Sequence, residues 1–319
     1  MKVEACRFDI RKIGEHTLFF CSLLCMSLLS VSCGEQTREK VTVDFNQRDG
    51  VNASTDSTLR GPALRVAVAS MISPRETFSS YQELMEYLSR GIGLPTEFKQ
   101  RKSYAETNQL LAQGQVDVAF ICSGAYISAK AAGEIELLAV PLSRGRPYYR
   151  AYIITHKQSG IQSFEDFRGR SFAFTDPLSH TGYAYALMRL REIGASTNDY
   201  FSDSFFTYAH DNSILLVDKQ LVHGATIDGL IYDYYARFEP DRVRNVKILE
   251  RSVEYGIPPV IIPTNTAESM KRRLRDILFS MHESEEGKAI LDKLLIDRFV
   301  EGRDSDYDGI RDVRRLIGK

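Results

Sequence analysis

"FTDPLSHTGYAYAL" occupies residues 174–187, and the reading of this stretch decides the fold. "SFAF" (171–174) leads into it as a short buried strand, and "YAYALMRLREIG" (183–194) leads out with helical spacing. Between them Asp176 and Pro177 form a turn, and Ser179, His180, Thr181 and Gly182 collect where strand hands over to helix. The first turn of a helix leaves backbone N–H groups unpaired and carries partial positive charge, which makes it a ready anion site. Ser179 and Thr181 add hydroxyl donors, and Gly182 lets a ligand approach the backbone closely. The set suits a tetrahedral oxyanion such as phosphate or phosphonate. Plain helix capping is the other reading of the same residues.

Outward from this stretch, strands and helices alternate. "LRVAVAS" reads as a strand, "SSYQELMEYLSRGIG" as a helix with Leu84, Tyr87 and Leu88 on one face, and "PTEFKQ" as a strand. "SYAETNQLLAQGQ" opens with Ser103 and has Glu106 three residues on, a capping box. "VDVAFIC", "SGAYISAKAAG" and "IELLAVPL" continue as strand, helix and strand. "YYRAYIITH" reads as an extended crossing into a second set: "SFAF", the helix after it, "SFFTYA", "DNSILLVDKQ", "VHGATID", "GLIYDYYARF" and "VKILERS". "IPPVIIP" follows, and the remaining sequence predicts three helices that close the chain. Strands separated by helices predict a mostly parallel sheet with helices on both faces. Two such units joined by two crossings predict two lobes of an α/β protein, with residues 62–150 and 251–319 in the first and 151–250 in the second. Ligands of open α/β sheets sit beyond the carboxyl ends of the strands, so the facing lobes enclose a cleft.

The N-terminus reads as a targeting segment. Basic residues precede the apolar stretch "TLFFCSLLCMSLLSVS", and small residues precede Cys33, the pattern of a secretory signal over residues 1–32. A cysteine directly after small residues resembles a lipobox, which makes Cys33 the lipidated first residue of the exported protein. The aliphatic residue usual three places earlier is Ser30 here, with Leu29 before it, and a retained signal anchor is the alternative. Residues 33–61 are polar and read as a tether. Of five cysteines only Cys122 falls in the folded part, so that part has no internal disulfide. A net charge of -1 argues against nucleic acid as a partner.

Two further junctions supply candidate residues. Ser123 and Gly124 open a helix after "VDVAFIC" in the opposite lobe, with free N–H groups at the cleft. Cys122 beside them reads as a buried small hydrophobe.

"DPLSHTGYAYAL" resembles the anion-binding segment of the phosphate, phosphite and phosphonate solute-binding proteins of ABC importers. "SYAETNQLLAQGQVDVAFICSGAYISA", "AHDNSILLV", "VHGATIDGLIYDY", "YGIPPVII" and "DYDGIRDVRRL" resemble that family's pieces in the family's order, over roughly residues 64–317. The resemblance implies a type II periplasmic-binding-protein fold, with two lobes, a hinge and the ligand in the interlobe cleft. It implies that Ser179, Thr181 and Gly182 hold the anion. His180, where the family more often has Asn, Thr or Ser, either donates to the anion or points to solvent, with a pKa near physiological pH. Tyr104 and Tyr126 match cleft tyrosines, although tyrosines near helix starts are often core. His210 matches a histidine at the ligand edge, where a structural histidine is the alternative, and Asp211 reads as the cap of the helix that follows. Asp228 matches an acidic residue facing the substituent on phosphorus or a ligand hydroxyl, or it is a helix N-cap.

"DSDYDGIRDVRR" begins like a calcium loop, but its twelfth position is Arg315 rather than a bidentate glutamate. No zinc spacing, Walker loop or nucleophile elbow is present in the sequence, and no cofactor is expected. The leading function is a lipid-anchored, extracytoplasmic receptor that delivers a phosphate- or phosphonate-type oxyanion to an ABC permease. A sensor lipoprotein acting on a separate membrane partner is the alternative. An enzyme is not expected, because Cys122 and His210 have no third group to orient them.

Overall fold

Short apolar runs separated by amphipathic segments build the first lobe. In the computed structural model, which describes residues 62–133 and 135–318, β1 (Leu64–Val68), α1 (Pro74–Ile92), β2 (Thr96–Lys99), α2 (Tyr104–Ala112), β3 (Val118–Phe120), α3 (Ser123–Ala131) and β4 (Ile135–Leu142) follow in order. The expected signal segment, Cys33 and the tether lie outside the described residues. Helix α1 begins at Pro74, earlier than its apolar spacing predicts, because proline at a helix's first position sacrifices no hydrogen bond. It ends on Gly93 in the left-handed conformation, φ 71°. The expected capping box is present: Ser103 accepts from Glu106 N, and Glu106 accepts from the Ser103 backbone.

Two crossings lead to and from the second lobe. The short strand β5 (Tyr148–Tyr149) pairs antiparallel with β11 (Tyr255–Gly256), forming a two-stranded ribbon between the lobes. The crossing is shorter than the sequence suggests, because all of β6 (Ala151–His156) already belongs to the second sheet. That lobe continues through β7 (Ser171–Phe174), a π-helical turn over His180–Ala184, α4 (Tyr185–Glu192), α5 (Thr197–Tyr200), β8 (Asp203–Phe206), α6 (His210–Asp218), β9 (Gly224–Asp228), α7 (Gly229–Phe238) and β10 (Val246–Arg251). The chain then returns to the first sheet with β12 (Val260–Pro263), α8 (Glu268–Ser280), α9 (Glu285–Lys293), β13 (Arg298–Val300) and α10 (Asp308–Leu316).

The sheets have strand orders β13-β4-β12-β3-β1-β2 and β10-β6-β9-β7-β8. They are mixed rather than mostly parallel. β1 runs parallel to β2 and β3, but β12 runs against both β3 and β4, and β6 runs against β9 and β10. The strands entered from a crossing arrive from the hinge side, and this sets their direction. β13, three residues among the expected terminal helices, pairs with β4 and forms the edge of the sheet. In the first sheet Val66 of β1 lies between Phe98 and Val118, and it is fully buried. One apolar cluster lies in the first lobe, a second in the second lobe, and the largest runs through both lobes.

Candidate functional site

The site grows from the loop after β7. The Asp176 carboxylate accepts Leu178 N (2.8 Å) through Oδ1, a local turn that brings Ser179 to the head of the helix. Ser179 Oγ accepts Gly182 N at 2.9 Å, so its hydroxyl caps the π-helical turn. Thr175 N in turn donates to the Gly182 carbonyl, folding the turn back on the strand. Gly182 is required here: a Cβ would fall 2.5 Å from the Thr175 side chain and 2.9 Å from His210 Cε1.

The first lobe presses α2 and α3 against this loop. Tyr104 N donates to Asp176 Oδ2 at 3.0 Å, His210 N donates to the Met71 carbonyl at 2.9 Å, and Ser73 N donates to Asp211 Oδ1 at 2.9 Å. These bonds join the two lobes directly. Asp211 therefore does not cap its helix, which starts one residue earlier at His210; its carboxylate reaches across the cleft instead. Gly124 is the second necessary glycine, because a Cβ there would fall 2.1 Å from the Leu178 carbonyl oxygen of the opposite lobe.

His210, Asp228 and Tyr104 converge behind the loop. Asp228 N donates to His210 Nδ1 at 3.0 Å, so Nδ1 is an acceptor and the neutral ring carries its proton on Nε2. Thr175 Oγ1 lies 3.0 Å from the same Nδ1, and Nε2 lies 3.4 Å from the Tyr104 hydroxyl. Burial pushes the pKa of His210 down to about 3. The Asp228 carboxylate caps α7 by accepting Leu230 N at 2.8 Å. Burial raises its pKa to about 7, despite that bond.

The hydroxyls facing the loop are unevenly satisfied. Thr181 Oγ1 and the Tyr149 hydroxyl are buried without a hydrogen-bond partner. Ser123 and Thr181 stand beside Tyr149, close but not in bonding geometry, while burial drives the Tyr149 pKa well up. The Ser123 hydroxyl is spent on the Gly256 carbonyl at 2.6 Å. A buried donor with no partner costs on the order of 1–3 kcal/mol, so Thr181 and Tyr149 are paid for by something other than the fold. Tyr149 was hidden in the sequence, where it reads as part of the crossing; only the pairing of β5 with β11 brings it to the site.

Two candidates behave differently from their sequence reading. His180 is 1% exposed, not solvent-facing, and its ring meets Tyr255 edge-on at 4.0 Å between centroids. Neither ring nitrogen has a partner, and burial takes its pKa to about 3, far from physiological pH. Tyr126 packs on Tyr307 and donates its hydroxyl to Asp304 Oδ1 at 2.5 Å, so that hydroxyl is not part of the cluster. Cys122 is buried at the start of α3 with its Sγ 3.9 Å from Ser179 Oγ, and burial raises its thiol pKa, against thiolate formation.

Among the described residues no group of three or more His, Cys, Asp and Glu side chains is arranged to hold a metal ion. Asp304 and Asp306 are engaged instead by Tyr126, Tyr148, Arg303 and Arg311. What the cluster offers is a set of neutral donors around a helix start. It favours binding a negative charge over catalysing a reaction.

Residues 66–307 match the family described as periplasmic phosphonate substrate-binding proteins of ABC transporters. The phosphate-import protein PhnD of Mycolicibacterium smegmatis is 27% identical over 220 residues, 65% of this chain, and the chain spans 63% of that relative's length. The phosphonates-binding periplasmic protein of Escherichia coli is 22% identical over 73% of this chain and 70% of its own. In structure, the binding component of a Pseudomonas aeruginosa ABC phosphonate transporter superposes with a TM-score of 0.77 at 22% identity, covering 81% of this chain and 87% of that one. Prochlorococcus marinus PhnD1, solved with methylphosphonate, gives 0.73 at 15% identity, covering 81% and 98%. These likenesses show the two-lobed type II periplasmic-binding-protein fold.

Proposed function

The chain belongs to the family of periplasmic phosphonate substrate-binding proteins of ABC transporters, and from this premise we propose that it captures a phosphorus oxyanion between its lobes and presents it to a permease. The ligand class is phosphate, phosphite or a phosphonate. The observation that carries this reading is the pair of buried, partnerless hydroxyls, Thr181 and Tyr149, beside the start of a helix. An anion held there accepts from both, from backbone N–H groups of the π-helical turn, and from Tyr104 across the cleft. His210, with its proton on Nε2, holds the Tyr104 hydroxyl in place. Family membership makes this a binding protein and not an enzyme, as the sequence suggests.

Export follows from the family, and the lipid anchor at Cys33 is the form of export that the "SVSCGEQ" pattern supports. The test is isothermal titration of the full-length protein with phosphate, phosphite and methylphosphonate, with sulfate as a control. At least one phosphorus oxyanion binds, and Thr181→Ala weakens it at least tenfold. Binding of none of the three, or binding indifferent to Thr181, overturns the reading.

A further inference from the structure

Asp228 stands on a boundary. On one side are the hydroxyls and His210; on the other is a cavity of about 110 Å³ between the lobes. Its walls come from both lobes: Ile72, Phe120 and Phe299 on the first, Leu230, Ile231 and Tyr234 on the second. Its lining includes no lysine, arginine or histidine, and Asp228 is its one carboxylate. The volume approaches that of an engineered apolar cavity of about 150 Å³ that takes up benzene. A largely apolar space of this size next to an anion site is a place for the non-ionic part of the same ligand.

We infer that the ligand is a phosphonate carrying an apolar substituent, the size of a short alkyl chain or one ring, which lies in this cavity beside Asp228. The inference rests on the oxyanion reading of the preceding section and adds the substituent to it. An ammonium group on the substituent fits poorly. Apart from side-chain hydroxyls, the cavity offers it a single carboxylate, whose Oδ1 already accepts Leu230 N. Burial favours the uncharged form of that carboxyl, which weakens its pull on a cation. Phosphate alone leaves Ile231 and Phe120 facing nothing that they can bury.

The experiment is titration of the full-length protein with methyl-, n-butyl-, phenyl- and 2-aminoethylphosphonate. Each methylene buried strengthens binding about fourfold, so n-butylphosphonate binds at least tenfold tighter than methylphosphonate, and phenylphosphonate does likewise. The 2-aminoethyl compound binds no better than methylphosphonate. Ile231→Phe, which fills the cavity, removes the chain-length preference, so that n-butylphosphonate loses its advantage over methylphosphonate. Ser80→Phe fills it from the opposite wall and does the same, should Ile231→Phe lower the melting temperature. Equal affinities for methyl- and n-butylphosphonate, or tightest binding of the amine, overturn the apolar substituent while leaving the oxyanion site standing. Absence of binding by every compound overturns both.

Discussion

Tyr104, at the first turn of a helix in one lobe, gives its backbone N–H to the Asp176 carboxylate of the opposite lobe at 3.0 Å. The same carboxylate holds Leu178 N and so shapes the turn before Ser179. One side chain therefore both shapes the loop before Ser179 and fastens it to the facing lobe. Burial raises its pKa in spite of these two donors, which marks how far it is withdrawn from water.

Asp176→Ala accordingly weakens closure as well as the loop. Loss of one hydrogen bond to a charged group costs about 1.5–3 kcal/mol, or roughly ten- to over a hundredfold in ligand affinity. Small-angle scattering of the wild type with saturating ligand gives the compact, closed radius of gyration, and the variant requires more ligand to reach it. Equal ligand dependence in both proteins would leave the contact with no part in closure.

Ser179 and Thr181 separate into two roles that a sequence reading merges. Ser179 Oγ already accepts Gly182 N, so Ser179→Ala costs about 0.5–2 kcal/mol of stability from the lost cap. Thr181 Oγ1 has no partner in the fold, so Thr181→Ala leaves the melting temperature without ligand unchanged or raises it. Its effect falls on binding, by about 1.5–3 kcal/mol. Urea unfolding alongside calorimetry tests the split, and a stability loss in Thr181→Ala equal to that in Ser179→Ala refutes it.

The turn at Asp176–Gly182 was legible because local chemistry wrote it: a turn, hydroxyls and a glycine in sequence between strand and helix. The two lobes were legible from the alternation of apolar runs. Strand direction was not, since the alternation is the same whichever way β6 or β12 runs. Tyr149 and His180 escaped for one reason. The environment of each is set by the ribbon β5–β11, where Tyr149 pairs with Tyr255, and Tyr255 in turn covers the His180 ring. Those contacts join segments far apart in the chain, and no local pattern announces them.

The N-terminal pattern makes a prediction that the fold does not touch. Cys33→Ala leaves the protein unprocessed or releases it from membranes, as seen by fractionation and the mass of the exported chain. A variant still processed and membrane-bound excludes the lipid anchor.

The buried histidines and Asp228 pull stability in opposite directions with pH. His180 and His210 have folded pKa values near 3 against an ordinary 6.5, so the unfolded chain binds protons that the fold refuses between those values. Their effect is a loss of stability as pH falls from about 6.5 toward 3. Asp228, near 7 against 3.8, is protonated in the fold while ionised in the unfolded chain, so it lowers stability as pH rises between those values. Between about 4 and 6.5 two histidine protons oppose one carboxyl proton, so these three groups together make stability rise with pH. His180→Phe removes one of the two and also two partnerless nitrogens, so the variant is flatter across that range. Urea midpoints at several pH values measure the slope, and an unchanged slope would place the His180 titration elsewhere.

Asp228→Asn isolates the other limb and reaches function by the same substitution. Asparagine caps a helix as well as aspartate and keeps the acceptor for Leu230 N, so the shape survives. The variant no longer takes up a proton on folding. Its stability rises more steeply between about pH 4 and 6.5 than that of the wild type, by up to about 1.4 kcal/mol per pH unit. At pH 8, where the wild type holds a buried charge, the variant is the more stable of the two. Binding follows the same proton. An anion placed beside Asp228 favours the neutral carboxyl, so the wild type takes up a proton when it binds, and its affinity falls as pH rises above about 7. The ligand's own ionisation acts equally on both proteins and cancels in their ratio. The ratio of variant to wild-type affinity therefore grows from pH 6 to pH 8, and calorimetry in buffers of different ionisation enthalpy shows more proton uptake in the wild type than in the variant. A ratio constant across that range would place the bound anion out of reach of Asp228 and leave the residue as the cap of α7 alone.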